Sequence, residues 1–221
     1  MGKMRPIENM ISLDSNGPIN SGKVRVCYLH PANPNLVIKI PVGRKKEEQQ
    51  ANIKELRGYQ FLMREHVDLF CISHCYGFVT TNRGTGLVCD CIRDDDGGIS
   101  KTLWDVIVCQ DECDLEYIQK VIGDFCNFLI SNDIFIFDLN LKNIVLRSQH
   151  DGSFQPVIID LKGRYESHEL IPLSRHIAYL GRKKLERRCN QLVDRVISYR
   201  KNRAEYQPAD KAFRGQKGIT C

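Results

Sequence analysis

The apolar period of this 221-residue chain changes once, at Asp94-Asp95-Asp96-Gly97-Gly98. Before that connector short runs alternate, which predicts strands; after it apolar residues recur mostly at helical spacing. Val24, Val26 and Tyr28 alternate with Arg25 and Cys27. Leu36-Val37-Ile38-Lys39-Ile40 is a second apolar strand, ended by Pro41 and Gly43. Asn16-Gly17-Pro18, Ser21-Gly22 and the stretch 30–35 are breakers and turns. One helix is predicted over residues 45–64, where Leu56, Tyr59 and Met63 recur at helical spacing. Two further strands, 73–80 and 86–92, flank a turn at Asn82-Arg83-Gly84.

The second half reads differently. Ser100 is placed to cap a short helix to Val108, and a longer helix is predicted over 115–130. Ile144-Val145-Leu146 and Val157-Ile158-Ile159 are short strands. A last helix over 182–200 carries Leu185, Cys189, Leu192, Val196 and Tyr199 as one apolar stripe. Strands followed by helices imply an α+β chain, divided near Asp94 into residues 1–93 and 94–221.

Composition sets the outer limits. Apolar residues are 42% of the chain and charged residues 27%, which excludes wholesale disorder and a fibrous protein. No run approaches the ~18 apolar residues of a membrane helix. Met1-Gly2-Lys3-Met4-Arg5-Pro6 leads into no hydrophobic stretch, so no secretory signal and a cytoplasmic location are expected. Pro6 stands where a myristoylation signal has Ser or Thr.

Ten cysteines, Cys27, Cys71, Cys75, Cys89, Cys91, Cys109, Cys113, Cys126, Cys189 and Cys221, are then expected as reduced, mostly buried thiols. Cys71-Ile72-Ser73-His74-Cys75 is the one local cluster with metal-ligand residue types. It falls short of the four ligands of a structural zinc site. The triple aspartate lacks the EF-hand spacing and reads as a solvent-facing loop.

Charge is unevenly spread. Residues 161–221 hold 15 lysines and arginines against 6 aspartates and glutamates, a surplus of +9 in a chain of net +5. Such a tail fits either a solvated helix face or an acidic partner such as nucleic acid or anionic lipid. The cluster Arg182-Lys183-Lys184 with Arg187-Arg188 is its centre. No nucleic-acid module or aromatic ladder accompanies it, and the apolar stripe on the same helix favours packing.

Three features carry chemistry. Lys39 interrupts an apolar strand; it is either solvent-facing or pointed into a cleft towards a phosphate. A buried lysine needs an anion to stay charged, and Glu55 on the following helix, with Glu48 as second choice, is placed to supply it. Asp138-Leu139-Asn140-Leu141-Lys142-Asn143 leads straight into a strand. It is either an Asx-rich turn or a loop whose Asp takes a hydroxyl proton and whose Asn ligates Mg²⁺. Asp160-Leu161-Lys162-Gly163 ends the next strand, either as a plain turn or as a carboxylate for Mg²⁺ beside substrate phosphates. Together, Lys in a strand, Glu on the next helix, D-x-x-x-x-N and Asp-x-x-Gly follow the order of protein-kinase signatures.

The chain resembles the YrbL family, PhoP regulatory network proteins within the protein-kinase-like superfamily. The likeness runs over residues 11–200. It is carried by the stretches 22–31, 36–40, 55–59, 86–94, 137–143 and 159–163, and by 170–174 and 184–188 in the tail. It implies a reduced protein-kinase-like bilobal fold, with an antiparallel-sheet N-lobe holding one helix and a truncated, mostly helical C-lobe. It further implies that Lys39 contacts ATP phosphates and Glu55 holds Lys39. The turn at Gly22 would cover the phosphates, and the segment with Val88, Cys89 and Cys91 would be the hinge meeting adenine. Asp138 would be the catalytic base, and Asn143 and Asp160 the Mg²⁺ ligands.

The departures are specific. Gly22 stands without a G-x-G-x-x-G pattern, and Ile136-Phe137 replaces His-Arg before Asp138. Asn140 stands where a protein kinase has lysine, with Lys142 two residues on. Leu161 replaces Phe of D-F-G, Lys162 adds one residue, and no A-P-E follows. Arg164, Glu166 and His168 lie just beyond. The expected function is an ATP- and Mg²⁺-dependent phosphotransferase acting on a small-molecule or Ser/Thr hydroxyl. The alternative is a pseudokinase with a regulatory or scaffolding role.

Overall fold

A computed structural model describes residues 10–14, 17–43, 46–65, 70–136, 138–161 and 178–207, with side chains of the first helical turn and its lead-in (44–48) and of Glu65 and Ala178 left aside. Its contacts divide the chain into two units: Met1–Leu56 with His74–Cys91, and Arg57–Ser73 with Ile92–Cys221.

The first unit is built on an antiparallel sheet of strands β1 (Pro18–Ser21), β2 (Arg25–His30), β3 (Asn33–Pro41), β4 (Cys75–Thr81) and β5 (Gly84–Asp90), ordered β1-β2-β3-β5-β4. Pro18, read as a breaker, opens β1 on the sheet edge, the position where a missing N–H costs no ladder bond. The predicted six-residue turn shrinks to Pro31-Ala32, because His30 already pairs with Asn33. The strand period then sorts β3 onto two faces. Ile38 and Ile40 join Leu13, Tyr28 and Val88 in a core layer on one face, and Lys39 points to the other. Gly86 is required by that core layer: a Cβ there would overlap Ile38 Cγ2 and lie 2.8 Å from Ile40 Cδ1. Helix α1 (Lys46–Glu65) follows β3, and the division between units falls within it.

The second unit carries a smaller antiparallel sheet, ordered β6-β7-β8, from β6 (Lys101–Thr102), β7 (Ile144–Ser148) and β8 (Phe154–Ile158). Helix α2 (Leu115–Ser131) begins at Asp114, whose carboxylate accepts the Tyr117 N–H. It buries Ile118, Ile122, Phe125, Cys126 and Leu129. Helix α3 (Ala178–Lys201) buries Leu185, Cys189, Leu192 and Val196 of the expected stripe, while Tyr199, its fifth member, is half-buried.

Two expectations need correction here. Ser100 does not cap the short helix; its hydroxyl donates to Asp94 at 2.7 Å. The cap is Thr102, in reciprocal bonds with Asp105: the Thr102 hydroxyl donates to the carboxylate at 2.7 Å and accepts the Asp105 N–H at 3.1 Å. The helix opens at Leu103 and runs as a π-turn over Asp105–Cys109. Nor is the triple aspartate a free acidic loop. Asp94 also accepts the Ser148 N–H, and Asp95 accepts Arg147 and the His150 N–H. Aspartates 94 and 95 thereby tie the connector to β7 and the turn after it.

Candidate functional site

In the first unit the polar centre is Glu55. Helix α1 places it, 1% exposed, opposite the face of β3 that carries Lys39. Lys39 Nζ donates to Glu55 Oε1 at 2.6 Å and is 7% exposed, so the solvent-facing alternative for this lysine does not hold. Glu55 Oε2 pairs with Arg25 from β2, itself 11% exposed. Asn52, one helical turn before Glu55, completes the group: its Nδ2 donates to the Lys39 carbonyl at 2.8 Å and its Oδ1 accepts from Arg25 at 3.3 Å. The helix is thus fastened to the backbone of the strand whose lysine it pairs.

Arg25 and Asn52 were not singled out from the sequence. Both left a trace: Arg25 alternates with the apolar residues of β2, and Asn52 lies three residues before Glu55, on the same helix face.

The hinge candidates border this group. Val88 belongs to the opposite core layer. Cys89 pairs across the ladder with Cys75, and its thiol lies 4.0 Å from Glu55 Oε1. The hydrogen bond with Cys75 and burial push the Cys89 thiol well above the ordinary range. Cys91 is buried, and its N–H donates to the Asn35 carbonyl at 2.8 Å. Gly22 forms the β1–β2 turn, donating its N–H to the Arg25 carbonyl at 2.8 Å. A Cβ there would meet only that carbonyl, at 3.6 Å.

In the second unit the segment 138–143 is built by alternation. Leu139 and Leu141 are buried, and between them the Asn140 side chain accepts the Lys142 N–H at 3.1 Å, capping the 3-10 turn Leu141–Asn143. The Asx turn is therefore real, and it is also what positions Asn143. The Asn143 carbonyl accepts the Ile159 N–H at 2.9 Å, continuing the register in which Ile144 pairs with Ile158. Asn143 and Asp160 accordingly stand at one end of the β7–β8 ladder. The other side of β8 is held as well: Ile158 donates to the Cys71 carbonyl and accepts from the Ser73 N–H, both at 2.9 Å. Asp138 precedes this loop and is half-buried. The Asn143 Nδ2 is buried and has no hydrogen-bond partner among the described residues. An amide can turn to present its oxygen instead. The donor set at this end, one carboxylate and one amide, is of the hard-oxygen type that Mg²⁺ takes beside phosphate oxygens.

The Lys142 ammonium lies over the Trp104 ring, 4.4 Å from its centroid. Trp104 packs edge-on against Tyr199 of α3 and against Tyr206, at centroid distances of 5.2 and 6.0 Å.

The residues of the zinc-type cluster are committed elsewhere. Cys71 is buried, its thiol pushed up to about 11 mainly by loss of water. His74 faces Asp90 at 3.1 Å, and Cys75 faces Cys89. No group of three His, Cys, Asp or Glu able to hold a metal occurs among the described residues, and none of their helices is long and apolar enough to cross a membrane. Lys162, Gly163, Arg164, Glu166, His168, the tail stretch 170–174, Cys221 and the side chain of Glu48 lie outside the described residues.

Residues 11–196 match the family described as PhoP regulatory network protein YrbL. The chain is 31% identical over 179 residues to the protein named "Uncharacterized protein YrbL" of Escherichia coli (strain K12), an alignment spanning 80% of this chain and 84% of that one. The Shigella flexneri protein of the same name is similar to the same extent. The chain therefore belongs to the YrbL family.

Proposed function

We propose that this protein is an ATP- and Mg²⁺-dependent phosphotransferase with a reduced protein-kinase-like bilobal fold, transferring the γ-phosphoryl group to a hydroxyl of a small molecule or a Ser/Thr side chain. The observation that carries this reading is the Lys39–Glu55 pair: a buried lysine, kept charged by a buried carboxylate of the following helix. Removing two charges from water is costly, and a lysine held so is suited to hold phosphate oxygens. The Asn143 amide, whose Nδ2 has no hydrogen-bond partner among the described residues, supports the metal half together with Asp160 at the same ladder end.

In this reading Lys39 takes the ATP phosphates and Glu55 orients Lys39. Asp160 and Asn143 would hold Mg²⁺, which would supply charge neutralisation on the phosphates. Asp138 orients the acceptor hydroxyl and takes its proton as the phosphate ester and ADP form. Catalysis of this kind is positioning and electrostatics more than covalent chemistry. A pseudokinase is the second reading, favoured by Ile136-Phe137 in place of His-Arg and by the residue added at Lys162.

Calorimetric titration with ATP, with and without Mg²⁺, on wild type and Asp160→Ala tests the proposal. Mg²⁺-dependent binding that disappears in the variant is expected; folded wild type that binds no ATP removes it. Turnover of ATP with a hydroxyl acceptor, lost in Asp138→Ala, separates enzyme from pseudokinase.

A further inference from the structure

The β4–β5 ladder brings two cysteines together. Cys75 and Cys89 are register partners, so their side chains leave the sheet on one face. It is the face of the Lys39–Glu55 group, with the Cys89 thiol 4.0 Å from Glu55 Oε1. The ladder bond beside the pair runs from the Asp90 N–H to the His74 carbonyl at 3.1 Å. The Cys91 N–H turns the opposite way, to the Asn35 carbonyl of β3 at 2.8 Å, and Cys89 is in register with Val37 of that strand. Backbone directions alternate along a strand, so Cys75 and Cys89 face each other without a ladder bond between them. Such pairs hold their Cα atoms about 4.5 Å apart, inside the range of about 4.4–6.8 Å that a disulfide spans.

The two thiols differ in what reaches them. Cys89 is buried, whereas Cys75 is half-buried on the edge strand β4. The hydrogen bond from Cys89 holds the Cys75 thiol below its ordinary value, against burial and the charge of Glu55. The thiolate is the form that attacks. One sulfur therefore meets solvent and ionises first, and its partner stands behind it.

We propose that Cys75 and Cys89 are an oxidative modification site that closes reversibly into a disulfide when the protein meets a peroxide. The Cys75 thiolate attacks one peroxide oxygen, and the O–O bond breaks. Cys75 becomes a sulfenic acid, and the hydroxide released takes up the proton that Cys75 gave to solvent. The Cys89 sulfur then attacks the Cys75 sulfur. The S–S bond forms, the S–O bond breaks, and the leaving hydroxide carries off the Cys89 proton as water. Two thiols lose two electrons, and the peroxide gains them. Closure removes the S–H group that faces Glu55, and the Cys75 side leaves the bond open to reduction by a thiol. Proximity alone does not select the pair: the thiols of Cys126 and Cys189 also hydrogen-bond, but both are buried. The site stands whether or not the protein binds a nucleotide.

The test uses the full chain, reduced and then exposed to hydrogen peroxide. Remaining thiols are alkylated after unfolding, and the peptides are mapped by mass. Wild type is expected to yield peptides joined through Cys75 and Cys89, with dithiothreitol restoring both thiols, while Cys126 and Cys189 stay reduced. In Cys89→Ala, shown to be folded by thermal unfolding, dimedone should trap Cys75 sulfenic acid about tenfold more than in wild type. In Cys75→Ser, Cys89 should stay reduced. Wild type in which Cys75 and Cys89 remain thiols, or join other cysteines instead, overturns the proposal. So does closure of Cys126 with Cys189 at the same rate. A Cys89 that oxidises at the wild-type rate in Cys75→Ser overturns the order of attack. The wild-type map needs no variant, so it decides the matter even where a substitution prevents folding.

Discussion

Two regions of this molecule use lysine and arginine in opposite ways. In the first unit two cations share one carboxylate out of water: Arg25 and Lys39 on Glu55. In the second unit the basic residues of α3 and the turn after it finish surfaces. Arg200 donates to the carbonyls of Ile107, Gln110 and Asp111, and Arg203 to those of Gln110 and Asp111, where the π-turn ends. Arg182 forks onto Asp133 at 2.6 and 2.7 Å, and Lys183 lies over the Tyr179 ring. The basic tail is the louder feature in the sequence, yet these of its charges are spent on carbonyls, two exposed carboxylates and one ring. The quiet feature, a single lysine in an apolar strand, is the one with an energetic reason to be functional. Burial, rather than number, separates the two.

The largest expected effect tests the buried side of that contrast. Glu55→Ala leaves Arg25 and Lys39 facing each other without their carboxylate. It should cost about 3–5 kcal/mol of stability, read as a fall in the urea midpoint at constant slope. A loss below about 1 kcal/mol would mean that water reaches the pair, and the contrast would collapse.

Arg200→Ala addresses the other side. It removes the donor to three carbonyls at the end of the π-turn, and about 1–2 kcal/mol should be lost, because water can replace part of the bonding. MgATP affinity should not change in that variant, measured alongside wild type. A larger cost than that of Glu55→Ala would reverse the order argued here.

The smallest effect concerns pH. The Asp95 carboxyl is held below the usual aspartate range, first by the His150 N–H and then by Arg147. A depressed carboxyl stabilises the fold above its unfolded value, about 3.9, and that contribution fades as pH falls through the folded value. Wild type should therefore exceed Asp95→Asn in unfolding midpoint near neutrality, and the two should converge in acid. A difference that stays constant down to low pH would deny the ion pair any part in it.

Much of the architecture was legible in order and period. The alternation of β2, the apolar run of β3, the helix after it and the stripe of α3 all follow from side-chain spacing, because one face of each element is buried. Pairing was less legible. Pro18 reads as a breaker until the strand it opens is known to lie on an edge. Ser100 reads as a cap until Asp94 is seen to take its hydroxyl and Thr102 to cap instead. Capping residues look alike in sequence, and the choice between neighbours is made by whatever else packs nearby.

The same holds at the candidate site. Residue order alone settles which types are available: Lys39, Glu55, Asp138, Asn143 and Asp160, with membership of the YrbL family and a mixed, antiparallel α+β frame. It determined that Lys39 and Glu55 lie on consecutive elements. That they meet, that Arg25 and Asn52 join them, and that the basic tail helix spends Arg182 and Arg200 on the protein itself is visible only in the folded chain. The reason is physical. Periodicity is a local property fixed by backbone geometry, whereas the value of a charge depends on what excludes water from it and which partner faces it. Those are set by residues 30 and more positions away, such as Arg25 on Glu55 and Arg200 on the end of the π-turn.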